Sequence, residues 1–528
     1  MRKPYLTAAA NSFPTADRKT IMFAGDRVPT ASRPHPIKKE VIMKTTTLRI
    51  TLVLLALLLA LPMAIACQKE PDTQEGTDVD SSNGQTAGQE EEITKTPWED
   101  VLKEQAPSFN NNYPTLRLLT IDSEFNYSAD SISGEDQAQH KRDNVLYETY
   151  GFEVEISHTT MGGIQKTIEN LGLTGGAVPH MVIASASSLM PIAIAGTLQN
   201  LNAVDTIDFS SGYWVDTYTN NCAWDGKLYV APTYSSRLFY HGPMALMYNT
   251  EIAKELQIND LYNLVDSGNW TLEKLGEYAA MAHLTDGSTG ETTRYGLNAL
   301  SGNGLLCGLY GAIGGTFSTM DADGNIQVDF SGADVNARLK AISNILHAEY
   351  AHVETWNDDI ASFADGKDLF WYSSTGNFFS GKITGNQNLK YGVLPLPKYN
   401  TEQTDYITTV NTTSNFFTCI IKNWSGEDLR FAGYITELYN YLSYKILRPA
   451  KFDILMKYQV AQSGDDLRMI EIIFDTLYYD HNAVYRFAGT TTAMGNALAS
   501  NETDNFTSTF NEKFRSKIAE AIGQYLGL

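Results

Sequence analysis

Five segments between residues 116 and 184 alternate in period, and this alternation narrows the folds open to the chain more than any other feature. Residues 116–121 form a short apolar run suited to a buried strand. Residues 143–150 have helical character, and Phe152-Glu153-Val154-Glu155-Ile156 alternates as a strand does. Residues 163–171 are again helical, and 180–184 form another buried strand. Strand, helix, strand, helix, strand predicts a mostly parallel sheet with helices on both faces. Such sheets bind ligands beyond the carboxyl ends of their strands, which singles out the loops beginning at Asp122 and at Ser185. Further on, Thr271 is placed to cap a helix that sets Leu272, Leu275, Ala279 and Ala282 on one side. The last helix carries Phe510, Phe514, Ile518, Ala521 and Tyr525 on one stripe, and Asp323-Gly324 reads as a hairpin turn.

Upstream, residues 52–61 are the one strongly apolar stretch. Lys44 and Arg49 precede it, and Pro62-Met63-Ala64-Ile65-Ala66-Cys67 follows. A basic start, a short apolar run and small residues before a cleavage point make an export signal. The run is too short to span a bilayer, which takes about 20 residues. Ala64-Ile65-Ala66-Cys67 resembles the lipobox of bacterial lipoproteins, which implies acylation of Cys67 and anchorage at the extracellular face of the cell membrane. Residues 1–42 carry no apolar run or periodicity, so they are expected to be a start-site misassignment, with translation beginning at Met43 and the signal covering 43–66. Residues 67–98, with Glu90-Glu91-Glu92 and almost no large apolar residue, read as a disordered acidic tether.

Charge excludes some partners. Residues 1–66 hold 10 of the 39 basic and 3 of the 61 acidic residues, which leaves 29 against 58. Such a surface repels nucleic acid and anionic headgroups, so contact with the membrane is expected through the lipid alone. With Cys67 acylated, Cys222, Cys307 and Cys419 remain, none in zinc-binding spacing. They read as small buried side chains, with one disulfide among them left open. About 430 residues follow the tether, more than one core usually serves, so two lobes are expected.

Several segments, in order, resemble the extracellular solute-binding proteins of ABC importers (family 1, maltose-binding-protein-like). They are Val178-Pro179-His180-Met181-Val182-Ile183, Gly196-Thr197-Leu198-Gln199-Asn200-Leu201 and Trp224-Asp225-Gly226-Lys227-Leu228-Tyr229-Val230-Ala231-Pro232. Met247-Tyr248-Asn249-Thr250, Gly268-Asn269-Trp270-Thr271-Leu272, Phe363-Ala364-Asp365-Gly366-Lys367 and Tyr391-Gly392-Val393-Leu394-Pro395-Leu396-Pro397 continue the series, which the last helix closes. Tyr213-Trp214 together with Gly268-Asn269-Trp270-Thr271 resembles a subgroup of Gram-positive gut bacteria. The resemblance implies an α/β, two-lobed, periplasmic-binding-protein-like fold of type II, each lobe a mixed sheet flanked by helices and joined by a hinge. The lobes are expected over 99–235 with 397–445 and over 236–396 with 446–528. Crossings are expected near 231–240 and 394–399, with a third after Tyr444. It further implies a monomer that captures a small solute between the lobes, an oligosaccharide first, and delivers it to the permease subunits of an ABC transporter, without a cofactor or metal.

Sugars present hydroxyl edges and weakly apolar faces, which amides, carboxylates, hydroxyls and aromatic rings complement. Trp371-Tyr372 leads into Ser373, Ser374 and Asn377, with Tyr372 favoured over Trp371 as the ring that faces the cleft. Where the maltose-binding pattern has Asn-Gly-Pro-Trp, this chain has Ser373-Ser374-Thr375-Gly376-Asn377 after Tyr372, so maltose itself is disfavoured. Asp122, Ser123 and Glu124 follow the first strand, and Ser185, Ser187 and Ser188 follow another. Tyr234-Ser235-Ser236-Arg237 lies on the first crossing, and Asn411-Thr412-Thr413-Ser414-Asn415 follows the second. Trp356-Asn357 overhangs the cleft or packs, and Trp270 is expected to be structural. Peptides or other polar solutes are the alternative ligands. The sequence lacks Gly-x-Ser-x-Gly, His-Glu-x-x-His and a phosphate loop. Asp358-Asp359 and Asp465-Asp466 are neighbours that do not converge on one bond. A lipid-anchored polysaccharide hydrolase is the remaining alternative, because glycosidase carboxylates come from separate segments.

Overall fold

The computed structural model describes residues 115–121, 134–174, 177–302, 305–355, 358–452 and 460–526, with Leu102 and a few positions between 124 and 131. The segments expected to be misassigned start, signal and tether, with Cys67, lie outside the described residues. In chain order the first elements are β1 (Thr115–Ile121), α1 (Gly134–Tyr150), β2 (Glu153–Thr159), α2 (Ile164–Thr174), β3 (Met181–Ser185), α3 (Ala186–Ile194) and β4 (Ala231–Pro232). Then come β5 (Met244–Asn249), α4 (Leu272–Ala282), β6 (Thr292–Leu300), α5 (Cys307–Ala312), α6 (Ala333–Leu346), β7 (Ala351–Glu354), β8 (Asp368–Ser374) and β9 (Tyr391–Leu394). The chain ends with β10 (Phe416–Cys419), α7 (Gly426–Leu442), α8 (Gly464–Asp475), α9 (His481–Tyr485), α10 (Thr490–Ala499) and α11 (Thr503–Leu526).

The three strands expected first pair in parallel, with β1 between β2 and β3. β10 then adds antiparallel to β3, setting Phe416 opposite Ser185 and Cys419 opposite Val182, and β4 closes the edge. The second sheet runs β7-β6-β8-β5-β9, with a short strand, Leu284–Thr285, on β6. There β7 and β8 lie parallel to β6, whereas β5 is antiparallel to both β8 and β9. Two mixed sheets, each flanked by helices, make the two-lobed α/β architecture that the resemblance implies.

Both faces of the second sheet are covered, and period-two alternation divides its side chains between two cores. Ala245, Met247 and Trp371 belong to one apolar cluster, and Met244, Leu246, Phe370 and Tyr372 to the other. α4 begins where Thr271 Oγ1 accepts from the Lys274 amide at 3.3 Å, and it buries Leu272, Leu275, Ala279 and Ala282. α1 starts at Gly134, well before the expected residue 143. Its first half buries Arg142 between the rings of Tyr439 (4.1 Å) and Phe125 (5.4 Å), a polar burial that apolar periodicity cannot show. The Asp323-Gly324 hairpin joins Thr319–Met320 to Ile326–Gln327, and Gly324 takes φ 81° at its turn. α11 buries Phe510, Ile518 and Tyr525, and Tyr525 stacks on Trp224 at 4.9 Å. Cys222, Cys307 and Cys419 are all free thiols, and the first and last are buried.

Candidate functional site

Two chain crossings run side by side between the sheets. The first leaves β4 and reaches β5, and the return leaves β9 and reaches β10. The Asn411 amide donates to the Gly242 carbonyl at 2.7 Å, Asn415 Nδ2 donates to Phe239 O at 2.7 Å, and Pro243 bridges Val410. At Gly242 the strands approach so closely that a Cβ would stand 2.5 Å from Asn415 Cβ and 2.9 Å from Val410 Cγ1.

Two hollows flank these crossings. The first is a narrow hollow with a cavity volume of about 40 Å³, walled by Met244, Leu305, Thr409, Asn411, Arg486 and Thr491. Its wall from α5 depends on Gly308, where a Cβ would sit 2.6 Å from the Tyr372 hydroxyl and 2.9 Å from Thr409 Oγ1. The second is a broader groove of about 680 Å³, between Ser187, Met190 and Pro191 of α3 and Tyr485, Arg486 and Gln524. α3 and the return crossing meet where the Ser187 amide donates to Thr412 O at 3.4 Å. Arg486 lines both hollows. It sits in the left-handed region, φ 51°, as the chain turns out of α9, and its guanidinium donates to Thr492 Oγ1. Burial pushes the neighbouring Cys307 thiol up to about 12, against the opposing pull of the Arg486 charge.

On the other side of the first crossing lies a group of paired charges. Glu124 is buried and accepts from Ser236 Oγ at 2.7 Å and from Arg237 Nε at 2.9 Å. Burial raises its carboxyl above the ordinary range, while Ser236 and Arg237 pull it back. Lys451 Nζ pairs with Glu135 Oε2 at 2.8 Å with both side chains mostly covered. His241 stacks on Phe379 at 5.7 Å. Burial, with the charges of Lys451 and Arg237, lowers its pKa to about 3, so the ring is neutral near pH 7.

The expected site residues divide accordingly. Ser187 and Asn411 line hollows, but the Asn411 side chain is engaged locally, Oδ1 accepting from Thr413 N and Nδ2 donating to Ser414 Oγ. Ser185 is buried beneath Ser187 and Ser188, its Oγ at 3.0 and 2.9 Å from theirs. Glu124 and Arg237 come together as an ion pair that fastens the loop after β1 to the first crossing. Ser235 is buried and its carbonyl accepts from Arg142, while Tyr234 packs between Phe239 (4.8 Å) and Tyr444 (5.2 Å). Asn377 Nδ2 donates to Ser373 Oγ at 2.8 Å. The expectation that one ring of Trp371-Tyr372 faces the cleft is not met. Trp371 stacks on Phe363 and donates to Asp359 Oδ2 at 2.9 Å, and Tyr372 donates to Leu305 O at 2.9 Å. Both are almost wholly buried, 0% and 1% exposed, because both faces of β8 carry a core. Trp270 is also in the core, donating to Pro395 O at 3.0 Å. Asp122, Ser123, Trp356 and Asn357 lie outside the described residues. Arg486 and Thr491 were not anticipated. Their one sequence signal is an arginine ahead of the polar run Gly489-Thr490-Thr491-Thr492, which breaks the apolar stripes on either side.

Residues 146–430 match the family described as bacterial extracellular solute-binding protein. No curated protein matches the sequence. Among solved structures, the chain is similar to the cyclic α-maltosyl-1,6-maltose binding protein of Arthrobacter globiformis, at 13% identity and TM-score 0.53, covering 78% of this chain and 99% of that one. It is also similar to the galacto-N-biose/lacto-N-biose I-binding protein of Bifidobacterium longum, at 13% identity and TM-score 0.52, covering 77% and 98%. UgpB of Mycobacterium tuberculosis, in complex with glycerophosphocholine, matches at 16% identity and TM-score 0.50, covering 79% and 99%. At these identities the likeness is one of fold.

Proposed function

The chain belongs to the bacterial extracellular solute-binding proteins of ABC transporters, and from that premise we propose that it captures a carbohydrate between its lobes and presents it to a permease. The observation that carries this reading is the placement of the two hollows. One lies against α3, next to the first sheet, the other against α5 and β5 of the second, and the return crossing and Arg486 stand between them. Apolar walls with a few hydroxyls, an amide and a guanidinium suit the faces and edges of a saccharide. Contacts made to both lobes favour a closed form by their differential affinity, so the mechanism is closure about the crossings rather than catalysis. We assign the lobes to 99–235 with 397–445 and to 236–396 with 446–528, in a monomer held at the membrane through Cys67. Two binding proteins named for saccharides among the neighbours of similar fold agree with this choice of ligand.

A thermal-shift screen over oligosaccharides and peptides tests the reading. A true ligand at about 100 times its Kd stabilises the folded protein by roughly 2.7 kcal/mol, a readily measured rise in Tm. If peptides raise Tm and no saccharide does, the carbohydrate assignment is wrong. Glycan turnover by the purified protein would instead support a hydrolase.

A further inference from the structure

We propose that the cleft selects a solute bearing an anionic group, a carboxylate or a phosphate ester, which Arg486 and Thr491 receive. The inference rests on the reading above that a solute occupies this cleft, and it adds the chemistry of one part of that solute. Among the described residues, Arg486 is the one charged side chain lining either hollow. This is notable in a chain of net charge −22, whose acidic side chains leave these walls without a carboxylate. A guanidinium offers a planar fork of donors that matches carboxylate and phosphate oxygens.

Thr491 is an independent pointer. Its side chain is 4% exposed and lines the first hollow beside Arg486, and its Oγ1 meets no hydrogen-bond partner. A buried hydroxyl without a partner is costly, and neighbouring threonines avoid that cost. Thr409 Oγ1 donates to Gly308 O at 3.0 Å, and Thr490 Oγ1 donates to Phe487 O at 3.0 Å. A bound anion would supply the acceptor that Thr491 lacks. Ser187, in the first turn of the nine-residue α3, lines the groove with Arg486, so the positive end of that helix dipole adds to the same field. The buried acid Asp480, whose charge acts on the Cys307 thiol of the first hollow, is committed elsewhere. Its carboxylate accepts from the amides of Phe317, Ser318 and Ala483 and from the Tyr478 hydroxyl.

Calorimetric titration of the purified protein tests this with trigalacturonate against its neutral methyl ester, and with glucose 1-phosphate against glucose. The expected result is that at least one acidic probe binds tenfold or more tightly than its neutral partner, on the order of one charge-assisted hydrogen bond. The preferred probe shows whether the group is a carboxylate or a phosphate. Arg486→Gln is expected to erase that preference by lowering the affinity for the acidic probe tenfold or more. Thr491→Val is expected to weaken the acidic probe several-fold and to leave the Tm of the ligand-free protein unchanged or higher, a combination that loss of packing would not produce. Equal binding of acidic and neutral partners, a preference that survives Arg486→Gln, or Thr491→Val binding as the parent does would each overturn the inference. If no saccharide binds in either form, the carbohydrate reading fails instead. The comparison then moves to peptide carboxylates against peptide amides, where equal affinity, or no binding by any acidic probe, overturns the anion proposal as well.

Discussion

Glu437 shows how a single buried residue can govern the behaviour of the chain with pH. It projects from α7, where Tyr213 Oη donates to Oε1 at 2.5 Å and Trp214 Nε1 donates to Oε2 at 2.9 Å. Burial raises its pKa from 4.5 to about 8, against the lowering effect of those two bonds. Between these values the folded protein holds a proton that the unfolded chain has released. Stability is therefore lost as pH rises through the window, by an amount on the order of a few kcal/mol. Glu437→Gln keeps the shape without the titration. Urea unfolding at pH 5 and at pH 8.5 should show the parent losing more stability than the variant, and equal losses would refute the assignment. Tyr213-Trp214 was legible in the sequence as a motif, but its partner lies over 220 residues away, and nothing local announces it. Trp371 and Tyr372 illustrate the opposite difficulty. Their polar sequel looked like a cleft loop, but alternation on a strand covered on both faces buries both rings.

Among the elements, β1, β2 and β3 with their intervening helices were legible because each carries its period within a few residues and each pairs with a near neighbour in sequence. β10 was not recognised as a partner of β3, since an antiparallel strand added from far downstream leaves no local mark. The hollows were only partly legible. Ser187 follows from the rule that loops at strand ends bind ligands and Asn411 from its place in a polar run after the second crossing, whereas Arg486 comes from a helix–helix turn that neither signal covers. The paired crossings make a specific prediction. Gly242→Ala places a methyl group against Asn415 and Val410, and overpacking of this kind costs about 1–3 kcal/mol. A lower Tm accompanied by altered ligand affinity is the expected outcome. An unchanged Tm would show that the crossings separate freely at that point.

At the scale of the whole molecule, the anchor proposed at Cys67 makes a prediction about where the protein is found. Cys67→Ala is expected to move the protein from the membrane fraction to the medium or soluble fraction without changing its Tm. Persistence in the membrane fraction would remove the lipid from the account. The connectivity of the folded part has a consequence of its own. The Tyr434 hydroxyl donates to the carbonyl of Leu102, 332 residues earlier, and β3 finds its second neighbour only in β10. Folds dominated by such distant pairings form slowly, and a nascent chain cannot close its first sheet until most of its length has been made. Chain order thus acts as a delay, so that for a protein of an extracellular family the first sheet is completed only late in the chain's appearance.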